Sequence, residues 1–284
     1  CQRLPIFSLH LGKDLRKIPE ALSMLLSRPQ ESVASGAGNM ADIPGPRPLI
    51  SVIMPVFNGE AFIHEALENI LAQAYPALEI IIVDDGSTDH SAEIIQNLGV
   101  DLRYFRQDNA GPAAARNRGI RDASGEFIAF LDVDDLWPAN NLAYLLHELL
   151  ERPEALAVHG MAQVMEKQAG SGEYEYTGNP GEAFPGYIGA GLYRREVFSR
   201  VGLFDPLMRF GEDADWFKRA EEMDIPIHRM KEVTLFVRRH GGNMTEGKDL
   251  VELNALKVFK KSLDRRRGAF AGIDLEGKDR LPLS

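Results

Sequence analysis

The sequence predicts an α/β fold with a mainly parallel central sheet flanked by helices. Three observations lead there: short β-branched runs, amphipathic helical periods between them, and a polar turn after each run. Ile50 to Met54 is the first run, followed by a turn at Asn58-Gly59 and apolar residues at helical spacing from Phe62 to Leu71. Glu79 to Val83 repeats the pattern, with the turn Asp84-Asp85-Gly86-Ser87-Thr88-Asp89 and a helix through Ile94, Ile95 and Leu98. A third copy runs from Leu102 to Phe105, through Asn109-Ala110-Gly111, into a helix opened by Pro112, a residue suited to the first helical position. Phe127 to Leu131 is the fourth run. In such folds ligands bind at the carboxyl ends of the strands, where these polar turns belong.

Beyond Pro138 a helix is expected to about Leu150, and Gly-, Tyr- and Glu-rich sequence between Gln168 and Tyr187 reads as loops. Regular elements resume at Arg194 to Val201, Asp213 to Glu222, the strand-like Ile227 to Val237, and a last helix from Lys248 to about Leu263. Three parts follow: an extension and linker over 1–47, short helices and then Ser, Gly and Pro; a main domain over 48–246; and a terminal helix and tail over 247–284. Met40 is a candidate start of the native protein.

The 284 residues, 44% hydrophobic, suffice for a sizeable core. A single cysteine, Cys1, excludes an internal disulfide and any site needing two thiolates. With no apolar run of the ~18 residues a membrane span needs, the expected location is cytoplasmic, with any membrane contact peripheral at the inner face. A net charge of −10 argues against a nucleic-acid partner, and the one dense basic cluster, Arg265-Arg266-Arg267, reads as the solvated last turn of a helix.

The strongest chemical signal is Phe130-Leu131-Asp132-Val133-Asp134-Asp135, a hydrophobic strand ending in three carboxylates. On extended chain, side chains at i and i+2 point the same way, so Asp132 and Asp134 are expected to converge on one hard cation, Mn²⁺ or Mg²⁺. Such a cation completes its shell with waters and substrate phosphates, which lets an acidic protein hold an anionic nucleotide. For Asp135 the alternative is a helix cap. A base and ribose fit across the first two turns, whose candidates are Pro55, Val56, Phe57, Asn58, Glu60 and Asp85; Asn-Gly and Asp-Gly turns also serve as plain loop makers. Asn109 and Gly111 lie in the third turn, and Arg116, nearest the following helix start, is placed to pair with Asp85 or a phosphate oxygen. Arg118 and Arg121 read as exposed. Gly211-Glu212-Asp213 opens a helix whose dipole would keep a carboxylate ionised at neutral pH, as suits a general base, although plain N-capping wants the same residues. His240 can serve as a metal ligand, a phosphate contact or a structural histidine.

In their order along the chain these segments resemble the family-2 glycosyltransferases of the GT-A, nucleotide-diphospho-sugar transferase fold. The resemblance covers about Leu49 to Thr245 and rests on Pro55-Val56-Phe57-Asn58, Val83 to Asp89, Asn109-Ala110-Gly111-Pro112 with Ala115-Arg116-Asn117, Phe130 to Asp135, and Gly202-Leu203-Phe204-Asp205 followed by Gly211-Glu212-Asp213. It implies that Asp85 contacts the base, that Asp132, Val133 and Asp134 form the Asp-x-Asp site for sugar-nucleotide and metal, and that Asp213 is the base of an inverting displacement. His240 matches a position that approaches metal or diphosphate in similar enzymes. The expected donor is a nucleotide-diphospho-sugar, with UDP as its nucleotide, and the expected acceptor a glycan, a lipid-linked or a small molecule; the oligomeric state is not readable. The alternative is a catalytically inactive binding module of the same fold. Nucleotidyltransferase, dinucleotide and P-loop readings lack their Gly-rich signatures.

Overall fold

The computed structural model describes residues 47–168, 174–180, 186–243 and 255–278; apart from Arg47, the extension expected over 1–47 lies outside them. The repeating units form as the periodicity predicts. β1 (Ile50–Val56), β2 (Leu78–Asp84), β3 (Arg103–Arg106) and β4 (Phe127–Phe130) alternate with α1 (Ile63–Ala72), α2 (Ser91–Gln96) and α3 (Pro112–Asp122). Then come α4 (Asn141–Leu150), β5 (Ala157–Lys167), β6 (Tyr174–Thr177), β7 (Gly191–Arg194), α5 (Val197–Val201), α6 (Glu212–Glu222), β8 (Ile227–Arg239) and α7 (Ala255–Lys278).

Among the described residues the strands form one sheet in the order β3-β2-β1-β4-β7-β5-β6, with β8 paired to β5. The half built from β3, β2, β1 and β4 is parallel throughout. Beyond β4 the sheet is mixed: β7 runs antiparallel to β4 and β5, β6 antiparallel to β5, and β8 parallel to β5. β5 is the one long strand the sequence pattern does not announce. It is flanked by β7 and β6 on one side and β8 on the other, and most of its residues are buried, so the alternation that marks a half-exposed strand is missing.

Successive side chains of the parallel strands enter different cores. Val52, Met54, Ile80 and Ile82 join α1 and α4 in one cluster, while Ile53, Ile81 and Val83 join α3, α5 and α6 in another. Gly119 lets α3 lie close on β1, since a Cβ there would meet Ile53 Cγ2 at 2.4 Å. The last helix continues to Lys278, well past the expected end near Leu263, because no proline interrupts it; residues 248–254 lie outside the described region. No helix among the described residues is long and apolar enough to cross a membrane.

Trp216 of α6 is fully buried, ringed by Tyr193, Phe198, Phe204 and Phe217, and its Nε1 donates to Gly202 O at 3.0 Å. Trp216→Ala is expected to lower unfolding free energy by about 3–5 kcal/mol, read from urea denaturation, because the cavity cannot close in an aromatic cluster.

Candidate active site

The carboxyl ends of β1, β2 and β4 lie at one edge of the sheet because these strands are parallel and in register. Each supplies a polar turn there, and backbone and side-chain hydrogen bonds knit the turns together. Asp85 N donates to Val56 O at 2.8 Å. Asn58, at φ 51°, accepts from Thr88 N through Oδ1 at 2.8 Å, and Glu60 Oε2 accepts from His90 N at 2.9 Å. Pro55 and Val56 are buried in the strand, whereas Phe57 is half exposed at its tip. The first two turns are therefore one rigid rim.

Asp85 is buried, and its carboxylate accepts from Gln107 Nε2 at 2.7 Å, Ala110 N at 3.0 Å and Gly111 N at 2.7 Å. It ties the second turn to the third. This leaves no pairing with Arg116, contrary to the sequence expectation: Asp85 is satisfied by main-chain donors at the start of α3 instead. Gly86 makes the approach possible, with φ +78° and Asn109 N only 2.8 Å from where a Cβ would sit. Asn109 itself is exposed.

Arg116 reaches elsewhere. One guanidinium nitrogen bonds both Asp132 oxygens, at 2.7 and 2.8 Å, and another bonds Glu212 at 2.8 Å and Asp213 at 3.3 Å. Its side chain is almost fully buried. Burial alone would lower its pKa, but Asp132, Asp213 and Glu212 hold it well above the ordinary arginine value. Arg118, in contrast, is partly exposed and pairs with Asp122 of its own helix at 2.7 Å.

Asp132, Val133 and Asp134 lie in a turn closed by Asp135 N donating to Asp132 O at 3.0 Å. The extended-chain premise therefore fails, and the two carboxylates engage different partners: Asp132 faces Arg116, and Asp134 faces the segment after β8. Asp134 Oδ2 meets His240 Nε2 at 3.2 Å and Asn243 Nδ2 at 2.9 Å. Gly242 N donates to His240 Nδ1 at 3.2 Å and Asn243 Nδ2 lies 3.2 Å from Nε2, so Nε2 is the nitrogen turned toward Asp134. The ring packs against Phe62 with centroids 4.6 Å apart. Val133 turns inward toward Gly59. Asp135 is buried and accepts from Arg238 N at 3.2 Å; burial and the neighbouring Asp134 and Asp132 push its pKa well up.

Asp213, in the first turn of α6, accepts from Ile188 N at 3.0 Å and from Arg116. Burial raises its pKa from 3.8 to about 7, against the lowering pull of Arg116. This differs from the expectation of a fully ionised carboxylate at neutral pH: desolvation raises the group more than Arg116 and the Ile188 amide lower it. A group poised near neutrality suits a general base.

Among the described residues no three His, Cys, Asp or Glu side chains cluster as a ready metal cage. The donors are nonetheless of the right kind: the Asp134 oxygens and the adjacent His240 nitrogen suit a divalent cation that takes its remaining ligands from water and phosphate. The residues the pattern leaves without a role are Glu212, Arg238 and Asn243. Arg238 Nε donates to Asp134 O and Asn243 anchors the Asp134 carboxylate, so both hold the turn. A polar residue three positions past His240, across two glycines, is the signal that marks Asn243.

Two outcomes follow from the charges. Arg116→Met strips the partner from three carboxylates and is expected to destabilise the fold by about 3–5 kcal/mol at neutral pH in urea denaturation. For Asp213 the folded pKa exceeds the unfolded one, so ionising it in the fold opposes stability as pH rises. The stability of Asp213→Asn relative to wild type should climb between pH about 4 and about 7, then level off, in the same assay.

The sequence profile described as glycosyl transferase family 2 matches residues 51–202, ending before Asp213 and His240. An uncharacterised glycosyltransferase of Haemophilus influenzae is 44% identical over 117 residues, covering 40% of this chain; that match spans only 46% of the relative's own length. An uncharacterised glycosyltransferase of Rickettsia typhi is 32% identical over 227 residues, 75% of this chain and 70% of that protein. Among solved structures, S. aureus TarS 1–349 in complex with UDP-GlcNAc superposes with a TM-score of 0.58 at 20% identity, covering 71% of this chain and 61% of TarS 1–349. The mannosyltransferase PcManGT from Pyrobaculum calidifontis, solved with GDP-Man and Mn²⁺, gives 0.53 at 25% identity over 76% of this chain and 62% of its own. With the profile matching more than half of its residues and the Rickettsia relative matched along most of both lengths, the chain belongs to glycosyl transferase family 2.

Proposed function

We propose that the protein transfers a sugar from a nucleoside-diphosphate donor, a UDP-sugar, to an acceptor hydroxyl by a single inverting displacement. The observation that carries this reading is the shared guanidinium: Arg116 binds Asp132 at the end of the parallel sheet and Asp213 at the start of α6. One buried cation thus joins the donor-side carboxylate to a carboxylate with a pKa near 7. The nucleotides in the TarS and PcManGT complexes support a nucleotide-sugar donor, and the Mn²⁺ of the latter supports a divalent cation.

In this reading the rim of the first two turns receives the base and ribose, with Phe57 offering an exposed ring and Asn58, Glu60 and Asp85 holding the shape. Asn109 and Gly111 border the same cleft. Asp134 and His240 would hold Mn²⁺ or Mg²⁺, with Asp132 beside them, and the cation would supply Lewis-acid stabilisation of the leaving diphosphate. Asp213 takes the proton of the attacking hydroxyl. Arg116 keeps it ionised for a larger share of the time than burial alone would allow and fixes its orientation. The Ile188 amide holds its other oxygen, so both carboxylate oxygens have a donor. A cytoplasmic setting accords with this chemistry, and a glycan, lipid-linked or small-molecule acceptor fits equally.

Calorimetric titration of UDP, GDP and dTDP with and without Mn²⁺ tests the donor site. UDP should bind in a metal-dependent way to the wild type and lose that dependence in Asp134→Ala; failure of every nucleotide to bind would leave a non-catalytic module as the better account. In donor-turnover assays Asp213→Asn should lower kcat by about 10²–10⁴-fold while nucleotide binding stays near wild type.

A further inference from the structure

The last helix has two unlike faces. One is docked by polar side chains: Lys257 Nζ donates to Leu207 O at 3.0 Å, Lys261 bonds Asp205 at 2.8 Å and Asp215 at 3.1 Å, and Arg265 bonds Glu222 at 2.6 Å and Asp215 at 3.1 Å. Asp215 is fully buried, so this clasp fixes the rotation of α7 about its axis. It also corrects the reading of Arg265 as a solvated charge.

The opposite face is fixed by the same rotation. At 3.6 residues per turn Leu256, Phe259, Lys260, Leu263, Arg266 and Arg267 fall within an arc of about 120°. Leu256 is 64% and Phe259 62% exposed, and Lys260, Arg266 and Arg267 are exposed on either side of that apolar row. Asp264, the one acidic residue from Ala255 to Arg267, falls outside the arc. Leu207, 82% exposed, sits next to the start of the helix where Lys257 meets its carbonyl. In a chain of net charge −10 this is a locally cationic, apolar surface.

We propose that this outer face of α7 docks in the plane of an anionic lipid surface. Apolar side chains enter the headgroup boundary while flanking Lys and Arg stems lie along it with their charges at the phosphates, the arrangement of an interfacial amphipathic helix. A second copy is a poorer occupant, because an isologous contact would set Lys260, Arg266 and Arg267 against their own like charges. A nucleic acid would leave the Leu256 and Phe259 row in water. The docking does not depend on the chemistry proposed for the cleft.

Co-sedimentation of the full chain with vesicles tests it. The chain should pellet with phosphatidylcholine vesicles containing phosphatidylglycerol, remain in solution with phosphatidylcholine alone, and be released as ionic strength rises. The triple change Lys260→Glu, Arg266→Glu and Arg267→Glu should lower partitioning by at least about tenfold. The pair Leu256→Ser and Phe259→Ser should lower it several-fold without moving the thermal unfolding midpoint, since neither side chain packs inside the fold. No binding to the anionic vesicles, or wild-type binding by both variants, overturns the proposal. So does a dimer in light scattering that the serine pair abolishes, which would identify a second copy as the occupant.

Discussion

One buried guanidinium ties three carboxylates of the candidate site together. Arg116 comes from the first half of the chain, and Glu212 and Asp213 lie nearly a hundred residues further on; Asp132 stands between them in sequence. Without the arginine, three carboxylates would share a half-buried space and their mutual repulsion would pull α6 from the end of β4. With it, the charges are compensated by a donor fork that can serve several oxygens at once, which lysine cannot do. The desolvation of such a centre is expensive, and buried ion pairs seldom add net stability. Its return here is geometric: the position of Asp213 is referred directly to the end of the parallel sheet.

A second constraint acts from the other side. β8 pairs with β5, and the segment after it returns His240 and Asn243 to Asp134. Arg238 adds a bond from its main-chain nitrogen to Asp135 and one from its side chain to the carbonyl of Asp134. The turn that carries the Asp-x-Asp carboxylates is thus gripped at both ends by different parts of the chain. Asp132 belongs to the Arg116 side and Asp134 to the His240 side. This division explains why a pair of carboxylates two residues apart need not act as one chelate.

The polar clasp of α7 extends the same logic outward. Asp215 lies two residues beyond Asp213 on α6, and it is held by Arg219, Lys261 and Arg265. Docking by ion pairs, in place of an apolar stripe, leaves Leu256 and Phe259 of the terminal helix on the outside. A surface that would be anomalous on a soluble helix becomes intelligible once the polar face is seen to be the buried one.

The strand-turn-helix units were legible because period-two and period-3.6 patterns are local properties of neighbouring residues. The placing of the polar turns was legible too, since parallel strands bring the segments after β1, β2 and β4, with Asp85, Asp132 and Asp134, to one sheet edge. Four things were not. β5 is buried between neighbours and carries no alternation; Arg116 chose Asp132, Glu212 and Asp213 over Asp85; the Asp-x-Asp segment turned where an extended chain was expected; and Asp213 gained a pKa near 7 from burial. Each is decided by groups distant in sequence, through the register of strands or the exclusion of water, and neither quantity is written in any short window of residues. By itself the sequence determined which side chains stand at the strand ends; tertiary packing decided which of them meet, because only packing sets distance and dielectric.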